Sequence, residues 1–166
     1  MSMRWRDRYP VGGLPAGLLS WYAPGQRPVA LVTFWMAMIG GEQSRLRAAW
    51  PGRRDPRSLF WSGGDFVLNV PDGQDLTLIR GLVDRGILCF DIEQDLGMLA
   101  APASQVEAPR LRHCPVQIEC ARGRVDTEPH EPEVTGEVIV MHCKDTATGM
   151  TASPDLDALQ PFRGET

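Results

Sequence analysis

The run VALVTFWMAMI, residues 29–39, carries one hydroxyl group and no charge. It is far shorter than the roughly 20 residues that cross a bilayer. Its β-branched and aromatic content suits a strand. Pro28 before it and Gly40 and Gly41 after it bracket it more as a strand than as a helix, and its unbroken apolarity predicts burial on both sides. The whole chain is punctuated in the same way: 14 prolines and 17 glycines in 166 residues separate short apolar runs, which favours many strands over a few long helices.

AGLLSWY, residues 16–22, reads as the first strand, and APGQRP as the tight turn that follows. SRLRAAW alternates, so Leu46 and Ala48 share one face. DFVLNVP is a strand that ends at Pro71, and ILCFDI is a short one. CPVQIECARGRV and VTGEVIVMHCKD are two long strands expected to be antiparallel neighbours. In DGQDLTLIRGLVDRG, Leu76, Ile79, Leu82 and Val83 recur at helical spacing and Gly86 stops the helix. DPRSLFWSGG suits a short helix with Asp55 as cap and Pro56 in the first turn. SPDLDALQPF closes with a capped turn, EQDLGML is one helical turn, and APASQVEAPRLRH is loop. The pattern predicts a mainly β chain forming one domain over residues 1–166. Its expected architecture is a six- to seven-stranded antiparallel Greek-key barrel with two or three short helices.

A hydrophobic share of 43% supports a real core, and a net charge of −4 is no footprint for nucleic acid. No apolar run is long enough for a membrane span. The opening MSMRWRDRYPVGG has charge without an apolar centre, so no signal peptide is expected and the chain reads as cytoplasmic. Cys89, Cys114, Cys120 and Cys143 form no C-x-x-C pair, and they read as buried free thiols with no metal assigned. A mixed site of His113, Cys114, His142 and Cys143 is the alternative if their strands meet. Glu119 and Glu137 sit within apolar strands and need partners, for which Arg122 and Arg124 are the nearest cations. Three arginines, Arg53, Arg54 and Arg57, crowd the turn AWPGRRDPRS, residues 49–58. That turn is either a solvated loop or a seat for an anion.

The order of PGQRP, TFW, RLRAAWPGRR, GGDFVLNVP, EAPRLRHCPVQIEC and TGEVIVMHC resembles the flavin reductase-like family with the FMN-binding split-barrel fold. GLLSWYAPG is taken as the first strand, because starting from PVALVT would leave a strand missing before GDFVLNV. The resemblance implies a homodimer that holds FMN near the subunit seam, with NAD(P)H as donor. It implies a ring lined by Thr33, Phe34, Trp35 and Met36, and a phosphate held by Arg53, Arg54, Arg57 and Ser58. A forked guanidinium and a helix start both suit phosphate oxygens. His130 lies near the place where some members carry a histidine close to the nicotinamide, and it also reads as an exposed loop residue.

Hydride passes between stacked rings, so no catalytic side chain is expected and none is identified. The chain departs from the family pattern at three positions: Val29 replaces an Asn, Phe34 a small hydroxyl residue, and Pro56 a Ser or Thr. Two alternatives follow. One is an electron-carrying flavoprotein of the flavoredoxin kind. The other is a relative that has lost FMN and binds another ligand.

Overall fold

The computed structural model describes residues 17–33, 35–39, 44–50, 63–126, 132–144 and 151–152. The strands are β1 (Gly17–Ala23), β2 (Arg27–Thr33), β3 (Trp35–Ile39), β4 (Arg45–Ala49), β5 (Gly64–Val70), β6 (Cys89–Asp91), β7 (Ala100–Pro102), β8 (Pro109–Leu111), β9 (Val116–Asp126), β10 (Glu133–Lys144) and β11 (Thr151–Ala152). Among the described residues there is one helix, α1 (Gly73–Asp84), between β5 and β6. The helices expected at residues 55–64 and 153–162 lie almost wholly outside the described residues. Residues 93–99, where one helical turn is expected, form no helix: 92–96 are hydrogen-bonded turns, with Asp91 Oδ1 accepting the amides of Glu93 and Gln94. No described helix is long and apolar enough to cross a membrane.

Neighbouring strands follow the order β3-β4-β10-β9-β5-β1-β2-β6, with β11 against β10, and every pairing is antiparallel. This order forces the sheet to curl. In a flat sheet β2 and β3 would stand six spacings apart, roughly 29 Å. Only one residue separates them in the chain, a reach of at most about 7.6 Å between Cα atoms. The two ends of the path are therefore brought together by the run 29–39.

The run changes partners along its length: β2 pairs with β1 and β6, and β3 pairs with β4. One apolar segment thereby serves both ends of the curled sheet. Burial on both sides holds for the first half, where Val29, Ala30, Leu31, Val32 and Thr33 are all buried.

Strand alternation sorts the core into an inner and an outer layer. Leu19, Trp21, Leu31, Leu46, Phe66 and Ile118 belong to the inner cluster, and Ala48 joins Leu46 there as its alternation requires. Leu18, Ala30 and Val32 point the other way, beneath Ile79 and Leu82 of α1 and beside Phe90 and Ile92. Two irregularities in the β9–β10 ladder bend the sheet further, as extra residues in one strand of a pair do. One lies on β9, where Arg122 has φ 53°; the other leaves Ile139 of β10 unpaired and exposed.

Residues 101–113 are not simply loop. β7 and β8 pair there as a two-stranded sheet. Strands of three residues are too short to show a period in sequence.

Candidate functional site

Trp35 is the cross-strand partner of Ala49, and Met36 of Ala48. Two residues past Ala49 the chain enters the segment that holds Arg53, Arg54, Arg57 and Ser58. Those four residues and Phe34 lie outside the described residues, as does His130. The β3–β4 register therefore sets the segment expected to face a ring beside the strand end from which the arginine turn departs.

The described side chains nearby are mostly committed. Thr33 is fully buried, and its Oγ1 donates to the Gly17 carbonyl at 3.1 Å. Met36 is buried in the inner cluster. Val29, at the position where the resembling family carries Asn, is inner core as well. These residues offer a ligand backbone rather than side-chain polarity. One donor is left over. The Trp50 indole N–H is buried without a hydrogen-bond partner among the described residues, immediately before the arginine turn in the chain. A buried unsatisfied donor costs about 1–3 kcal/mol, so an orphan at the head of a cationic turn fits a site that a bound acceptor completes.

Of two polar clusters, one went unread in the sequence and the other was read with different partners. The first ties β8 to the barrel. Asn69 Nδ2 donates to the Leu18 carbonyl and to Ser20 Oγ, both at 2.9 Å, while its Oδ1 accepts the Leu111 amide at 2.9 Å. Ser20 Oγ donates to the Pro109 carbonyl at 2.6 Å. The signal for it was an Asn in the middle of the apolar strand GDFVLNV.

The second cluster surrounds Glu119, whose side chain is fully buried. Its Oε1 accepts the Gln105 amide at 2.7 Å, and its Oε2 accepts the Ser104 amide at 3.1 Å and Ser104 Oγ at 2.8 Å. His142 Nε2 lies 2.6 Å from the same Oε2. Burial opposes ionisation of this carboxyl, but the hydrogen bonds from Gln105, Ser104 and His142 outweigh it and hold the group below its ordinary range. The arginine expected for Glu119 is not there. Glu137 does meet Arg122, at 3.1 Å and half in solvent. With His142 turned to Glu119 and Cys114 packed in the outer cluster, the mixed Cys/His site does not assemble. Among the described residues no group of three or more such side chains could hold a metal ion.

Three of the thiols are held in the protonated, weakly nucleophilic form by burial. Burial pushes Cys89 and Cys114 up to about 12, and Cys120 well above its ordinary value. All four cysteines are free.

No protein-family model and no curated protein sequence matches the chain. Solved structures do. The 2-nitrobenzoate 2-nitroreductase of Pseudomonas fluorescens aligns at 18% identity and TM-score 0.67, over 89% of this chain and 75% of its own. Flavoredoxin of Desulfovibrio vulgaris aligns at 18% identity and TM-score 0.61, over 84% and 76%. A flavin reductase with a split barrel domain from Shewanella frigidimarina aligns at 15% identity and TM-score 0.60, over 90% and 77%. The chain has the fold of the flavin reductase-like split barrels. That agrees with the resemblance carried by GDFVLNVP and CPVQIEC.

Proposed function

We propose that this chain is a flavin reductase-like oxidoreductase that binds FMN and accepts hydride from NAD(P)H, working as a homodimer. The observation that carries the reading is the register of Trp35 on Ala49, which lines the ring segment up with the strand leading into the arginine turn. FMN, when bound, supplies the hydride chemistry. The chain's own share is binding and orientation. Arg53, Arg54 and Arg57 offer forked donors to the phosphate, Ser58 a hydroxyl, and the backbone from Thr33 to Met36 the bed for the ring. Trp50 contributes a buried donor close by.

The test is the visible absorbance spectrum of the purified protein, alone and with added FMN, followed by oxidation of NADH and NADPH with free flavin. Yellow protein that turns over nicotinamide supports the reductase. Yellow protein that does not turn over points to an electron carrier of the flavoredoxin kind. Colourless protein with no FMN affinity in the micromolar range, about −8 kcal/mol, overturns both. Light scattering tests the dimer.

One observation favours a second reading. The side chains of Val29 and Thr33 are absorbed into the fold, which removes polar contacts a flavin would use. On that reading the arginine turn holds a different phosphate-bearing or carboxylate ligand on the same barrel.

A further inference from the structure

Between the first turns of α1 and the segment after β8 lies a hollow of about 190 Å³, lined by none of the residues assigned to the flavin. Leu96, Met98 and Leu111 form apolar wall, and Leu78, 44% exposed, stands with them. The buried Cys114 adds a neutral thiol. Two full charges complete the lining: Asp75 from α1, and Arg112 from the segment after β8, with His113 beside it. Neither Asp75 nor Arg112 takes part in an ion pair among the described residues.

Size and charge together narrow the occupant. A cavity of about 150 Å³ accommodates a benzene ring, so this hollow suits one ring or a branched chain. Its lining has one carboxylate and one guanidinium. A simple anion would leave Asp75 unmatched, and a simple cation would leave Arg112 unmatched. We propose that the hollow binds a free α-amino acid with an apolar side chain. Its side chain packs on Leu96, Met98 and Leu111, its ammonium faces Asp75, and its carboxylate faces Arg112. The surroundings of Asp75 agree. Burial first, and then the neighbouring Asp72, push its carboxyl above the ordinary range, while His113 draws it back. A site of that kind gains from an arriving cation.

Calorimetric titration of the full chain with L-phenylalanine, phenethylamine and 3-phenylpropanoate tests the proposal. Phenylalanine binds, and each analogue, lacking one charge, binds about tenfold weaker or worse. Asp75→Asn weakens phenylalanine and phenethylamine and leaves 3-phenylpropanoate unchanged. Arg112→Gln weakens phenylalanine and 3-phenylpropanoate and leaves phenethylamine unchanged. Leu78→Trp fills the hollow from an exposed helix position, which the fold tolerates, and abolishes binding of all three. Circular dichroism confirms that each variant is folded. No binding of phenylalanine at millimolar concentration overturns the proposal. So does an analogue that binds as tightly as phenylalanine, or phenylalanine binding that survives Leu78→Trp.

Discussion

Asn69 and Leu111, 42 positions apart, are joined by a hydrogen bond of 2.9 Å from the Leu111 amide to the Asn69 side-chain oxygen. The same side chain donates to Leu18 and Ser20, so one buried amide ties β1, β5 and β8 together. Replacing it strands several buried partners at once. Asn69→Ala is expected to cost about 2–4 kcal/mol. Urea unfolding of the two proteins measures it, and a loss under about 1 kcal/mol would show that water replaces the tie.

Gly136 sits against the fully buried ring of Phe66. A Cβ at that position would stand 2.5 Å from Phe66 Cε1 and 2.7 Å from Cζ. The ring spans two strands, since a Cβ at Gly123 of β9 would also meet it at 2.9 Å. Overpacking of this kind costs about 1–3 kcal/mol. Gly136→Ala is therefore destabilising to that extent, and adding Phe66→Leu recovers part of the loss in a double-mutant cycle. Additive losses would place the strain elsewhere.

These two positions also show where sequence reasoning reached and where it stopped. Element type was legible, because Leu46 and Ala48 at strand spacing, and Ile79 and Leu82 at helical spacing, announce their buried faces. The long partnership of β9 with β10 was legible too. Three things were not. The change of partners along the apolar run, from β1 and β6 to β4, follows from the curl of the sheet, which no local period encodes. β7 and β8 are fixed by Asn69 and Ser20 from distant strands, not by their own three residues. Glu119 was paired with an arginine nearby in the chain, yet its partners are His142, across the irregular β9–β10 ladder, and Ser104 and Gln105 from the segment between β7 and β8. For the ligand site, the arginine cluster was visible as composition, while the side-chain commitments of Thr33 and Val29 needed the fold.

The Glu119 cluster predicts an acid response. Its carboxyl is held below the ordinary value of 4.5 in the folded chain. A group depressed in this way contributes stability that is complete above its unfolded value, about 4.3, and is lost as the pH falls through the lower folded value. Glu119→Gln removes the contribution at every pH. At pH 7 the variant is expected to be less stable by about 1–3 kcal/mol, and the gap to the unmodified protein narrows below about pH 4.5. Urea midpoints taken from pH 7 down to pH 3 test this. A gap that stays constant across the range would mean that the carboxylate charge is not what holds residues 104 and 105.

The arginine turn gives the most direct test of ligand chemistry, because FMN and riboflavin share a ring and differ by one phosphate. If Arg53 and Arg54 hold that phosphate, the protein prefers FMN to riboflavin. Charge-assisted bonds to phosphate are the strong ones, and each is worth about 1.5–3 kcal/mol, or roughly tenfold to a hundredfold in affinity. Arg53→Ala and Arg54→Ala should each weaken FMN by such a factor while leaving riboflavin unchanged, and the double variant should bind the two nearly alike. Flavin fluorescence titration reads both affinities. Equal loss of FMN and riboflavin would mean the turn acts through the ring or the fold. A wild-type protein without preference for FMN would mean the arginines serve a different anion, as the second reading has it.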